Sequence, residues 1–478
     1  MEGMMQAFGN SSNSMLSAWG FKPKEREDEE LEETKTVKTV QEVNAESMLG
    51  NLHNNINFFF DKLELNEDVL GIDYILLLRA LCHNTTVRFL TIGSSFLGSL
   101  NTDEEVRILL EIAASMPKLE TLRVTFVREM AMEAKVVSDI IGRTSMLKEL
   151  HLVDLELPGD DYDMESLGEV LEKLTSLKSF SMLNLGLEEA VDESDPITPD
   201  HIVNSLSGLP ALEHVEITMR RKFLWEGDSL GVLCDSSTLK SLKLENMTLS
   251  IAQVASIASS LNDNTTLTSL QLRHCGLDDE CWRAVASILP ENGTLQHLDL
   301  SQNDKLDDDG CFVIGSCLEG NTAMKTLKLY NDEGSEVTSR GVTSLFRMVE
   351  KNSALECLEM SYTASDAVGF KSVADALVRN SSLKRLYVEN HGKAVSTTGV
   401  VAIARALESG NQGLEEIAII FDGIDNDGVL ALAKAVEKNS TLKHFTFNRA
   451  EYRRAFKPAP PSSGDVVQRM SLMMTTDL

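Results

Sequence analysis

The chain has 478 residues, of which 42% are hydrophobic, and carries a formal net charge of −30 at pH 7. That length and apolar share suffice for a large buried core. The acidic balance excludes wholesale binding to nucleic acid or an anionic membrane, both of which need a basic footprint.

The N-terminal stretch MEGMMQAFGNSSNSMLSAWGF has no basic region followed by a continuous apolar one, so it does not read as a secretory signal. KEREDEELEETK follows, and residues 1–46 are expected to be a disordered acidic segment, too poor in apolar side chains to fold alone. Residues 47–86 are predicted to form an N-terminal cap with a degenerate first repeat, FDKLEL at 60–65. The apolar run YILLL at 74–78 is far too short to span a bilayer. The 7 cysteines are scattered without a CxxC pair. An odd number without a signal predicts reduced thiols in the cytoplasm, or in the nucleus.

From 87 to 448 one pattern recurs. Its clear LxxLxL copies are LETLRV (119–124), LKELHL (147–152), LKSLKL (239–244), LTSLQL (267–272) and LQHLDL (295–300). Looser copies begin at 87, 177, 212, 324, 355, 383, 414 and 442, with spacings that cluster at 28 residues. With the degenerate first member this makes about 14 repeats. Between copies lies a helical stripe: Val254, Ile257, Ala258 and Leu261 fall on one face, as do Val400, Ile403, Ala404 and Leu407. Each unit is therefore predicted to be a short strand followed by a helix.

Asn-x-Ser/Thr triplets at Asn84, Asn264, Asn292, Asn380 and Asn439 match the glycosylation pattern. Every one sits just before a strand. They are read as punctuation, with Asn ending the helix in the left-handed conformation that it tolerates.

LxxLxL plus a helix in a unit of about 28 residues resembles the ribonuclease-inhibitor-like class of leucine-rich repeats. Ribonuclease inhibitor, the sensor domains of NLR proteins and the Ran GTPase-activating protein belong to that class. The resemblance covers roughly residues 60–448 and implies an α/β solenoid, but a shared fold does not carry function. Strands stack about 4.8 Å apart and helices about 9–10 Å apart, so such an array is expected to curve into a horseshoe. Its parallel β-sheet would line the concave face and its α-helices the convex one.

In LxxLxL the leucines point inward and alternate residues project from the sheet. The projecting candidates for protein binding are Arg273, His297, Asp299, Lys328, Tyr330, Glu359, Arg385 and Tyr387. Acids and bases on this face are comparable in number, which leaves two readings: Asp299, Lys328 and Glu359 as a cross-strand charge ladder, or a surface that reads a partner through Tyr330, Arg385 and Tyr387. The two can coexist. Where the period lengthens, GLEEAVDESDPITPDH (186–201) is followed by the basic, aromatic RRKFLWEGD (220–228). Arg220, Arg221, Phe223 and Trp225 are candidates for a binding patch, since Trp and Arg dominate interface hot spots. The alternative is that the aromatics pack under the acidic loop and the arginines neutralise it. Further long loops are expected at 330–341 and 389–399.

Residues 449–478 are read as a flexible C-terminal tail with a linker, KPAPPSSG, at 457–464. Its final Thr476, Asp477 and Leu478 fit the form a PDZ domain accepts as an added strand. No nucleotide-binding loop and no HExxH occurs. Cys275 is expected to be buried, and His151, His214, His297 and His444 to lie on the sheet away from any matching carboxylate and nucleophile. No cofactor or metal is implied. The expected function is that of a non-enzymatic protein-binding scaffold or adaptor, with a GTPase activator of the Ran type, or a sensor subunit working with a separate NTPase, as alternatives. The basic, proline-rich NRAEYRRAFKPAPP after the last repeat departs from the acidic tail of the GTPase activators.

Overall fold

The computed structural model describes residues 61–65 and 84–447, apart from 99, 101–102, 128–133, 145, 158–160, 188–195, 198–199, 226, 304, 332–335, 364–366, 392–395, 410 and 422–423. The expectations for residues 1–46, for most of 47–86, and for 449–478 with Thr476, Asp477 and Leu478 lie outside the described residues. So does most of the acidic insertion. The chain divides into two compact units, one within Val37–Leu329 and one from Tyr330 onward.

The strands of the first unit are β1 (Lys62–Leu65), β2 (Phe89–Ile92), β3 (Thr121–Thr125), β4 (Glu149–Val153), β5 (Glu156–Leu157), β6 (Ser179–Leu187), β7 (Pro196–Ile197), β8 (His214–Trp225), β9 (Ser241–Thr248), β10 (Ser269–Arg273), β11 (His297–Asp299) and β12 (Thr326–Leu329). They run β1-β2-β3-β4-β6-β8-β9-β10-β11-β12, with β5 added against β6 and β7 against β8. The second unit carries β13 (Cys357–Tyr362), β14 (Arg385–Asn390), β15 (Glu416–Phe421) and β16 (His444–Phe447) in that order. Neighbouring strands are parallel, and helices alternate with them along the chain. This is an α/β repeat solenoid.

The repeat motif explains the register. Leu242, Leu270, Leu298 and Leu327 lie side by side on β9 to β12, and each is at most 1% exposed. A one-residue slip would turn this whole row to the open face, so the apolar pattern holds the pairing. Helices close the other side of the layer. On Ile251–Asp263 the buried set Val254, Ile257, Ala258 and Leu261 is the stripe read from the sequence. Short polar side chains start these helices by satisfying their first amides. Ser250 accepts from Gln253 N in a capping box, and Asp278, Asp307 and Asp425 accept from Cys281 N, Gly310 N and Gly428 N.

The turn from helix to strand corrects one expectation. Asn264 has φ −73° and ψ 129°, and Asn352, Asn380 and Asn439 are likewise extended, not left-handed. Their side chains hold the turn instead. Asn292 Oδ1 accepts from Thr294 N at 2.9 Å and Leu295 N at 2.8 Å, while Nδ2 donates to Leu261 O of the preceding repeat at 2.7 Å. Asn380 donates to Val349 O, Asn411 to Leu377 O and Asn439 to Leu407 O in the same way. Asn321 and Asn411 do this without a glycosylation triplet, so the shared signal is Asn-x-x-Leu/Met. Asn84, Asn292 and Asn380 are buried, which supports punctuation. The left-handed non-glycine residues lie elsewhere: Asp154, His274 and Gln302 follow strands, Asn184 and Asn246 lie within β6 and β9, and all five have φ between 51° and 64°.

Candidate protein-binding surface

In the first unit the open face of the sheet is tied together by charge. Lys243 on β9 donates to Glu216 on β8 at 2.7 Å and lies 3.0 Å from Glu245. Burial works against the Lys243 ammonium, but Glu245 and Glu216 outweigh it and raise its pKa. A second row lies just before the strands. Arg88 grips Glu120 with two bonds of 2.9 and 2.8 Å, and Lys148 adds a third at 2.8 Å. These bonds hold the Glu120 carboxyl down at about 2. Glu213 sits likewise between Lys240 at 2.6 Å and Lys178 at 3.6 Å, and its pKa is lowered, chiefly by Lys240. A ladder therefore exists, centred on Glu216, Lys243 and Glu245.

Asp299 in the first unit and Glu359 in the second, both expected to project from the sheet, are 8% and 6% exposed. Asp299 accepts from Ser301 N at 3.0 Å and lies 4.0 Å from Arg273 Nε. Its carboxylate thus shapes the end of β11. Of the other candidates on this unit, His297 is exposed and Lys328 half-buried.

The strand geometry also brings together a set that the sequence reading did not foresee. His151 is paired in register with Ser181, and His151 Nδ1 lies 2.5 Å from Ser181 Oγ. Glu149 Oε2 is 3.8 Å from Nε2 of the same ring. A carboxylate, an imidazole and a hydroxyl thus stand in one row, contrary to the expectation for His151. Burial lowers the His151 pKa, and Glu149 offsets this only in part. Ser181 is 3% exposed, and the β6 backbone around it pairs with β4 on one side and β8 on the other. The His151–Ser181 contact ties β4 to β6.

The basic, aromatic stretch at 220–228 is not a loop at its start. β8 runs through it to Trp225, and β7 pairs with Leu224 and Trp225. Trp225 is 3% exposed, so its indole is part of the core and the patch loses its proposed anchor. The Phe223 side chain lies outside the described residues. Arg220 is held by an ion pair with Glu156 on β5 and by a 3.2 Å bond to Asp154 O. Arg221 is exposed. The sequence signal missed here was that Glu156 stands 64 residues before its partner.

In the second unit Tyr330 and Tyr387 meet edge to face, with ring centroids 5.3 Å apart. Tyr387 donates to Glu389 Oε2 at 2.6 Å, and burial, with Glu389 beside it, raises the phenol pKa well above its ordinary value. His391 Nε2 lies 3.0 Å from Asn331 O, and Nδ1 lies 4.0 Å from Glu389. Tyr330, Arg385 and Tyr387 are all half-buried on this face. Cys275 is 0% exposed, as expected, and its thiol is pushed up by burial. Among the described residues no group of His, Cys, Asp and Glu has the arrangement to hold a metal ion. Among them, no helix is long and apolar enough to cross a membrane.

No protein-family profile matches the chain, and no curated protein sequence matches it. Solved structures similar to it include the following two. One is actin-binding site 2 of leiomodin-1, with 18% identity over 33% of this chain and 86% of that one, at a TM-score of 0.27. The other is the Rad7–Elc1 complex of yeast, with 14% identity over 72% and 78% of the two chains, at a TM-score of 0.42.

Proposed function

We propose that the chain is a non-enzymatic protein-binding scaffold of the cytoplasm or nucleus, which holds its partner on the open face of the parallel sheet. The observation that supports this most is the mutual bracing of that face. In each unit projecting side chains are fixed by their neighbours: the Glu216–Lys243–Glu245 ladder in the first, and the Tyr330–Tyr387 pair in the second. A surface whose rotamers are already ordered loses less entropy on binding, which favours recognition of one partner shape. Its mixed charge and tyrosines suit a protein surface more than a polyanion.

The test is affinity capture with three chains: the natural one, a double variant Tyr330→Ala/Arg385→Ala on the sheet face, and Arg347→Ala on an exposed helix position. Partners should be retained by the helix variant and depleted about tenfold or more by the sheet variant. Equal capture by all three removes the reading. Acceleration of GTP hydrolysis on a panel of small GTPases, at catalytic amounts of the chain, would replace it with the GTPase-activator alternative.

A further inference from the structure

The open face of the second unit has a surplus of acids at one end. On β13, β14 and β15 the positions that alternate with the buried apolar ones carry three carboxylates, Glu359, Glu389 and Glu416, against one guanidinium, Arg385. Arg385 stands opposite Glu416 in the strand register, whereas Glu359 stands opposite Tyr387, with Glu389 two residues farther along β14. The acidic end of the face is therefore its tyrosine end. Tyr330 and Tyr387 meet there with their ring planes at 84°, so the two rings form adjoining walls of a corner.

The face of a tyrosine ring carries negative charge density and attracts a lysine or arginine cation within about 6 Å. Tyr387 donates its hydroxyl to Glu389 at 2.6 Å, and that bond passes electron density into the ring. Burial and the neighbouring Glu389 keep the phenol protonated, so the hydroxyl stays a donor. Glu359 is buried, and water screens its charge little. An anionic segment entering the corner would meet Glu359 and Glu389 as like charges. A second copy of the chain would bring a net charge of −30 against the same charge. A cationic side chain is attracted by rings and carboxylates together, and the field of the whole chain steers it inward.

We propose that the corner of Tyr330, Tyr387, Glu359 and Glu389 takes a lysine or arginine side chain from a basic segment of the partner, which rests on the scaffold reading above. The test is selection from a library of short random peptides on the full chain, followed by binding of the retained peptides to Glu389→Gln, Tyr330→Leu and Arg347→Ala. Retained peptides should be rich in Lys or Arg. Replacing that cation by a neutral isostere, citrulline for Arg or norleucine for Lys, should weaken binding about tenfold or more, equivalent to about 1.4 kcal/mol. Glu389→Gln keeps an acceptor for the Tyr387 hydroxyl and should lose as much, as should Tyr330→Leu. Arg347→Ala, at an exposed helix position, should bind as the natural chain does. Retained peptides that are acidic or uncharged, yet depend on Tyr330, overturn the cationic partner and leave the scaffold reading in place. Basic peptides held equally by Glu389→Gln and Tyr330→Leu, or no retained peptide at all, also overturn the proposal. The scaffold reading falls only if affinity capture is equally indifferent to the sheet face.

Discussion

Replacing Asn292 by Ala removes three hydrogen bonds from one helix-to-strand turn: the 2.7 Å donation to Leu261 O and the 2.9 and 2.8 Å bonds from Thr294 N and Leu295 N. Thr294 is half-buried, so water can take over its amide, but Leu261 and Leu295 are at most 1% exposed. Two buried backbone groups are then left without partners, at about 1–3 kcal/mol each, which gives a loss of about 4 kcal/mol. A long array need not unfold in one step, so the local readout is native-state hydrogen exchange at the amides of 292–300. The loss corresponds to roughly a thousandfold faster exchange. Asn264→Ala breaks the same kind of turn, and since its partners lie on Cys234 and Leu267, both 0% exposed, a loss of similar size is expected. Asn292→Asp keeps the acceptor but sets a negative charge against Leu261 O; its loss should shrink in acid, where protonation restores a donor. If Asn292→Ala accelerates exchange less than tenfold, the account of the turn fails.

Trp225→Ala should lower stability by about 3–5 kcal/mol in urea unfolding, as truncation of a buried aromatic does. Arg221→Ala on the same strand, being exposed, should change it by no more than about 0.5 kcal/mol, and the reverse order would mean that Trp225 is not in the core. Glu120 offers a pH test. Arg88, then Lys148, hold its folded value at about 2, below the ordinary 4.5. Because the folded value is the lower one, its contribution is complete above about 4.5 and drains away as pH falls from there toward 2. A carbon-13 titration of the Glu120 carboxyl with a midpoint near 4.5 would refute this, and Lys148→Ala should raise the midpoint.

Much of the fold could be read in advance because one apolar pattern served three purposes. LxxLxL set the strand, its register and the side facing the helices, and the structure keeps all three. The asparagines were recognised as punctuation, but their conformation was misread. Propensity alone favours a left-handed residue at a helix end, whereas here the side chain has carbonyls of the preceding repeat within reach, and those bonds favour an extended backbone. The surface was harder. Asp299, Glu359 and Trp225 look like binding residues in a linear reading, and only the packing of neighbouring turns shows them withdrawn. The His151–Ser181 contact and the Arg220–Glu156 pair join residues 30 and 64 positions apart, a relation that no local motif records.

The asparagine bonds have a direction. Each Nδ2 reaches toward the N-terminal neighbour, from Asn439 to Leu407 O, from Asn411 to Leu377 O and from Asn380 to Val349 O. Removing the repeat on the N-terminal side of such a turn therefore leaves its asparagine without that acceptor, whereas removing the repeat on the C-terminal side leaves the bond in place. The two ends of the array are for this reason not equivalent sites for truncation.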